Sequence, residues 1–573
     1  MSAECTVSQA VEFLDVSVDF VRELFEDKLV LSRRENCKAP RPVFCKRHSI
    51  RLKYYYFSSF PVFAMNRLSL LLSVLCLFVF VSETISAAKK PNVLILMTDQ
   101  HHADWVGCLG KFPVKTPNLD RLAAEGTLFT RSFVPVTFCS PTRIALLTGQ
   151  YPSTLKIDRN LDEKTNDPLG LRDSVPTFHQ PLFEAGYKNH HIGKWHAGQL
   201  CDLSCFQDAE NDMTAPGRRF NQGRRAAGDD AFDPQRPGEV DAAQNIYRPD
   251  FLTERFERFL HVKPEQTQNI GLIGRHRIKD TLQYESVLAD YCIDLIREHH
   301  RKNEPFAITY SVGPPHACNA APLPYYDMYD PKTLPLPKTW NNVSPLYEKT
   351  LSARFADIYG EEGLREYLRC YSAQVSMVDA YIGRILDALR DEGILDNTLI
   401  VFLSDHGNLC GQHGMMDKAC GAFYDDLCRV PTIVRLPGAF PAGKREDRFI
   451  TSMDVAPTIL DCLGVKPLEN IVGKSFRNMA NGGEAIRDTV YGERGGLPPK
   501  QGPIFRMIRT DKWKLILGGT GSKELYDLVA DPDEVVDLST ESKHAAVVAD
   551  LTSRLVEHMN RIDDPGRSKY QIP

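Results

Sequence analysis

Cys139-Ser140-Pro141-Thr142-Arg143 runs straight into Leu146-Leu147-Thr148-Gly149-Gln150-Tyr151-Pro152. Pro141 suits an early helical position, where its missing N–H costs little. Arg143 is always charged and one helical turn past Cys139, so it can reach back to the thiol. Alone, the five residues describe an ordinary cysteine ahead of a helix, with Arg143 there for solubility. Further reactive types lie along the chain. Gly193-Lys194-Trp195-His196-Ala197-Gly198 sets an ammonium and an imidazole at i and i+2, which share one side of an extended segment. Pro314-Pro315-His316 adds an imidazole, and Met415-Met416-Asp417-Lys418 adds a compact ammonium donor. His190 and His191 read as structural or solvated.

These groups need a frame. Asn92 to Met97 is a continuous apolar, β-rich run, as are Phe306 to Ser311 and Thr398 to Leu403. Such runs are strands buried on both faces, the habit of parallel sheets. They end at Asp99-Gln100, at Pro314-Pro315-His316 and at Asp405-His406, and the carboxyl edge of an open α/β sheet is where sites are built. Two carboxylates at the ends of paired strands can face one hard cation, although each Asp alone also suits a turn or cap. Thr116 to Ala123 reads as a capped helix start, and Glu366 to Gly393 as a core helix feeding the Asp405 strand. Residues 199–275 are polar and weakly periodic, fitting either an insertion near the site mouth or a solvated loop.

Cys139-x-Pro141-x-Arg143 with its leucine–threonine–glycine sequel resembles the signature of the type I, formylglycine-dependent sulfatases. The resemblance covers about residues 90 to 540, with the motifs in matching order. It implies an alkaline-phosphatase-like fold: a large mixed sheet flanked by helices, with a smaller C-terminal α+β subdomain. It assigns residues 89–437 to the catalytic domain and 438–573 to that subdomain, which holds a helix from Val455 to Leu463 and then alternating strands. It also implies that a maturation enzyme converts Cys139 to formylglycine, whose gem-diol is the nucleophile. Asp99, Gln100, Asp405, His406 and the modified Cys139 would hold one divalent cation. Gln100 departs from the family's usual acidic pair, removing one negative charge. Calcium is favoured, while the nitrogen of His406 suits manganese, iron or zinc better.

By the same resemblance, Lys194 holds the formylglycine oxygen and the sulfate, and Lys418 the sulfate oxygens. Arg143 supports the nucleophile. His316 protonates the leaving alcohol, and His196 is the base that releases sulfate. Fixed cations stabilise the charge spreading over a sulfate monoester without reorganising. The implied function is hydrolysis of sulfate esters, of a small molecule or a carbohydrate. Gln100 with His406 also resembles phosphonate monoester hydrolases, so a phosphonate or phosphate ester hydrolase is the alternative. An inactive glycan-binding relative is the remote one.

The 573 residues are 43% hydrophobic and 25% charged with net charge -5, an ordinary globular composition. The mild acidity gives no reason to expect nucleic acid. Met65-Asn66-Arg67, the apolar run Leu68 to Val81 and Ser86-Ala87-Ala88 compose a secretory signal peptide over 65–88. The apolar run is short for a bilayer span, so stable membrane association is not expected, and the protein is expected to be secreted or periplasmic. Residues 1–64 then read as a dispensable extension, the alternative being a real one with an internal anchor. In an exported chain Cys201 and Cys205 are the nearest candidate pair, with a zinc half-site as the alternative.

Overall fold

The computed structural model describes residues 89–161, 175–198, 205–206, 209–228, 239–241, 246–260, 272–419, 421–495 and 504–570. The expected signal peptide, the segment 1–64 and Cys201 lie outside the described residues. Among the described residues no helix is long and apolar enough to cross a membrane.

An eight-stranded mixed sheet carries the site. Its order is Lys444–Glu446, Thr127–Phe133, Arg429–Arg435, Thr398–Ser404, Asn92–Asp99, Phe306–Pro315, Lys188–Gly193, with Ile450–Thr451 also paired to Thr127–Phe133. The strands starting at Asn92, Phe306, Thr398 and Lys188 run parallel, and Arg429–Arg435 runs antiparallel to its neighbours. The three expected strands are present, each reaching a little further toward the site than its apolar run. Successive side chains point to opposite faces. Leu94, Leu96, Ile400 and Phe402 pack on one side under the helices Pro117–Glu125, Tyr284–Lys302 and Leu351–Asp391. Ile95, Val401 and Leu403 pack on the other with the helices Cys139–Thr148 and Val455–Cys462. Both faces are therefore buried, which is why these strands read as unbroken apolar runs.

Three details differ from the sequence reading. The core helix is longer than 366–393: it spans Leu351–Asp391, and Gly360 breaks its geometry with φ 57°. Thr116 gives the Pro117 helix no side-chain cap; its hydroxyl donates to Asp120 at 3.0 Å instead. The large sheet also draws on strands past residue 437, at 444–446 and 450–451, so strand pairing places this stretch with the catalytic sheet. The described part of 199–275 is not a plain loop, since it holds the helices Ala209–Ala227 and Asp250–Leu260 and three short strands.

The C-terminal sheet is antiparallel, in the order Val490–Arg494, Phe505–Arg509, Trp513–Gly518, Lys523–Asp527, and packs on the helix Ala545–Arg561. It is pinned to the catalytic sheet by charge. Lys514, wholly buried, reaches Asp425 at 2.6 Å and Glu534 at 2.6 Å, and Arg509 meets Asp425 at 3.0 Å. Burial works to raise the Asp425 carboxyl, and Arg509 and Lys514 overcome it, holding it below the usual carboxylate range.

Candidate functional site

Five strands deliver their ends, and the segments beyond them, to one edge of the sheet. Asp99 ends the central strand, and Gln100 turns away at φ 65°, a left-handed backbone uncommon for a residue with a side chain. That turn aims its backbone N–H at Asp405 Oδ1, 3.0 Å away. Asp405 and His406 follow the neighbouring strand. The next turn packs tightly, since a Cβ on Gly407 would meet the Asp426 carbonyl at 1.9 Å. On the far side Lys194 follows Gly193, where a Cβ would meet the Ser311 carbonyl at 2.0 Å. Glycine is required at both places for the close approach.

Cys139 opens the helix Cys139–Thr148 and is buried. Its Sγ lies 3.3 Å from His406 Nε2, 3.7 Å from Asp99 Oδ1 and 3.8 Å from Lys418 Nζ. Asp99, Cys139, Asp405 and His406 each offer a ligand-type atom, all within 4.8 Å of one another and all buried. His406 Nδ1 faces the Gly407 carbonyl at 2.9 Å, so it carries the proton and leaves the Nε2 lone pair turned to the cluster.

Cations ring these atoms. Arg143 does reach back: Nε donates to Asp405 Oδ2 at 2.9 Å, and Nη2 stands 3.6 Å from Asp99. Lys194 Nζ pairs with Asp99. Lys418 Nζ touches Gln100 Oε1 at 3.2 Å and His316 Nε2 at 3.2 Å. The Gln100 amide nitrogen donates to Asp417. Burial raises the Asp99 carboxyl, and Lys194, His316, Arg143 and His406 outweigh it, so the carboxylate stays charged. Burial and Asp99 raise the Cys139 thiol, while Lys418, His406 and Lys194 pull it well below its ordinary range. Burial disfavours the Lys418 ammonium, and Cys139, Asp417, Asp99 and Asp405 more than restore it.

His196 has other contacts. Its φ of 52° breaks the extended alternation assumed for Lys194 and His196, and its Nε2 sits 3.1 Å from the Leu161 carbonyl. Leu161 N–H in turn donates to Ser140 Oγ, so His196 leans on the segment flanking Cys139. Its Nδ1 is buried without a hydrogen-bond partner among the described residues, as is Trp195 Nε1. His190 is structural as expected, with Nε2 2.9 Å from His299 Nε2. His191 stands closer to the site, with Nε2 3.0 Å from the Lys194 carbonyl.

The sequence reading did not find two supporting residues. Asp426 holds His102 at 2.8 Å and His413 at 3.4 Å, tying together the loops that carry Asp99 and Lys418. Tyr371, from the long helix, donates to the Gln100 carbonyl at 2.6 Å and accepts from His102 N–H at 2.8 Å. A buried set of hard donors, enclosed by cations and seated beside a helix-borne cysteine, can hold a metal ion and an anionic ester together.

Comparison with known proteins agrees. Residues 91–465 match the Sulfatase family, and residues 411–561 match N-sulphoglucosamine sulphohydrolase, C-terminal. The chain is 28% identical over 497 residues to the uncharacterized sulfatase YidJ of Escherichia coli, covering 84% of this chain and 90% of that protein. It is 26% identical over 545 residues to an N-acetylglucosamine-6-O-sulfatase of Bacteroides thetaiotaomicron, covering 83% and 87%. The fold matches the phosphonate monoester hydrolase of Agrobacterium radiobacter with a TM-score of 0.65 at 24% identity, over 82% of this chain and 96% of that one. A match spanning most of the described chain, with Cys139, Asp99 and Asp405 converging inside it, places this protein in the sulfatase family of the alkaline-phosphatase-like superfamily.

Proposed function

We propose that the protein is an exported sulfatase that cleaves sulfate monoesters of carbohydrates, with Cys139 matured to formylglycine. The observation carrying this reading is the buried convergence of Asp99, Cys139, Asp405 and His406. Two carboxylates and an imidazole with its lone pair turned inward suit a divalent cation. Gln100 Oε1, which Lys418 also touches, would complete the set, and calcium is the favoured ion. Such an ion supplies Lewis acidity and lowers the pKa of an oxygen on residue 139; formylglycine supplies that oxygen as nucleophile.

The remaining work falls to the chain's own side chains. Lys418 Nζ, 3.8 Å from the residue 139 side chain, and Lys194 Nζ, on Asp99, present ammonium donors to the sulfate oxygens from two sides. Arg143 locks Asp405 in place through Nε. His316 Nδ1 faces the Ala317 carbonyl at 2.6 Å and so carries one proton; the ring acts as acid in its imidazolium form, in which Nε2, 3.2 Å from Lys418 Nζ, carries the second proton and passes it to the departing alcohol. His196 Nδ1, which has no hydrogen-bond partner among the described residues and keeps its lone pair because Nε2 faces the Leu161 carbonyl, is the base that frees the product sulfate. Names of relatives support the carbohydrate: an N-acetylglucosamine-6-O-sulfatase and an ulvan-active sulfatase.

The discriminating experiment compares aryl sulfate with aryl phosphonate monoester turnover. Aryl sulfate is expected to lead in kcat/KM by about a hundredfold. Chelation should abolish turnover and calcium restore it. Phosphonate turnover in the lead, restored by manganese and not calcium, would move the assignment to the phosphonate hydrolase that Gln100 suggests. Sulfated glycan binding without any turnover would point to an inactive relative.

Asp426→Asn is expected to lower sulfate ester kcat/KM about 10–100-fold, the range for residues that orient metal-site groups from behind. It removes the charge that His102 and His413 share, and its one amide oxygen can serve only one of the two imidazoles while the NH₂ faces the other. Wild-type kinetics in a folded Asp426→Asn protein would remove Asp426 from this role.

A further inference from the structure

We infer that a cavity of about 300 Å³ beside Lys194 and His316 holds one sugar ring, and that Glu285 selects it by accepting a hydrogen bond from a ring hydroxyl or ammonium and turning away a second anion. The preferred substrate is then a small monosulfated sugar, neutral or aminated. This rests on the sulfate ester reading above.

The cavity volume is at the floor of the range for small-molecule sites, roughly 300–1,000 Å³. It fits one ring with its substituents, not a run of them. Lys194 and His316 form the wall already placed beside Cys139. The facing wall differs in origin. Phe220 comes from the helix Ala209–Ala227, His276 ends the strand Ile273–His276, and Glu285 lies in the first turn of the helix Tyr284–Lys302. The polar, weakly periodic stretch of the sequence therefore helps to build the pocket.

Each side chain on that wall has a distinct capability. The Phe220 and Tyr284 rings meet edge to face with centroids 5.6 Å apart, giving apolar surface for the C–H face of a sugar. His276 Nδ1 accepts from Ile278 N–H at 3.1 Å and from Gln283 Nε2 at 3.1 Å, so its proton sits on Nε2 as a donor. Burial, then Arg224, lowers its pKa to about 4, which keeps the ring neutral. Glu285 is the one acidic side chain on the cavity wall among the described residues. No ion pair holds it there among those residues. Burial raises its carboxyl, and its own backbone N–H is the group that favours the charge. Its place at a helix N-terminus supports that charge as well. A neutral donor and a carboxyl held by no ion pair share the cavity with the Lys194 ammonium, so its two ends differ in sign. Sulfate belongs at the Lys194 end, and hydroxyls or an amine at the Glu285 end.

The test measures kcat/KM of the full chain for glucosamine 6-sulfate, galactose 6-sulfate, a sulfated glucuronic acid and a disulfated glucosamine, each divided by the value for 4-nitrophenyl sulfate. The amino and neutral sugars are expected to exceed the two dianions by about tenfold or more. In Glu285→Gln, which keeps the acceptor and removes the charge, that preference should shrink toward one. Dianions turned over as well as or better than the other sugars by the wild-type protein would overturn the inference, whether or not the variant folds. So would an unchanged preference in folded Glu285→Gln. Failure to hydrolyse 4-nitrophenyl sulfate at all would refute the sulfate ester reading and this inference with it, whereas normal aryl sulfate turnover with no sugar preference refutes the inference alone.

Discussion

Cys139→Ala is expected to fold as the wild type does and to lose at least about 10⁴-fold in kcat, the scale of removing a covalent nucleophile. The side chain is buried at the start of a helix, between Asp99, His406 and Lys418. Nothing else in the cluster can replace a nucleophilic oxygen there. Asp99 and Asp405 are committed to Lys194 and Arg143, and the Nδ1 proton of His406 is committed to the Gly407 carbonyl. Mass spectrometry of the peptide spanning Cys139 from active protein should show a loss of about 18 Da, the exchange of a thiol-bearing carbon for an aldehyde. A fully active preparation carrying only the unmodified thiol would refute the maturation. Cys139→Ser should behave like the alanine variant unless the host's maturation enzyme accepts serine.

Asp405→Asn should damage the fold and the chemistry together. Oδ2 accepts from Arg143 Nε, and Oδ1 accepts from the backbone N–H groups of Gln100 and His406. An amide can present its oxygen to only one of these sides, so its NH₂ must face a donor on the other. Arg143 is then a buried cation with half its pairing gone, and breaking such a pair costs about 3–5 kcal/mol. The melting temperature should fall accordingly, and kcat/KM should drop by more than the Asp426→Asn value because a ligand charge is lost as well. Differential scanning calorimetry and steady-state kinetics on the same sample check both parts. A variant with unchanged melting and near-normal turnover would show that Asp405 is neither the anchor of Arg143 nor a metal ligand.

What could be read from the sequence was whatever depended on local pattern. The strands at Asn92, Phe306 and Thr398 are buried on both faces, so each announces itself as an apolar run, and the residue types that follow each run lie where the sheet edge puts them. The cysteine motif was legible because its residues share one helix. Asp426 was not, since its partner His102 is 324 residues away and nothing in Tyr424-Asp425-Asp426 signals a distant imidazole. The orientation of His196 depended on a single left-handed residue, which an alternation rule cannot foresee. The Gly360 break was hidden because apolar helical spacing continues on both sides of it. The stretch 199–275 gave a weak pattern for a physical reason: its helix Ala209–Ala227 turns Phe220 to a cavity wall and even admits Pro216.

The charges joining the two sheets set limits on how this protein can be recombined. A crossover placed between the sheets would give Lys514 and Arg509 to one parent and Asp425 to the other, and each would meet whatever its new neighbour happened to carry. A fully buried ammonium tolerates no such lottery. Hybrids with relatives will survive only when Asp425, Arg509, Lys514 and Glu534 travel together. The segment carrying Phe220 has no share in that network, so it is the natural unit to exchange when a new substrate range is wanted.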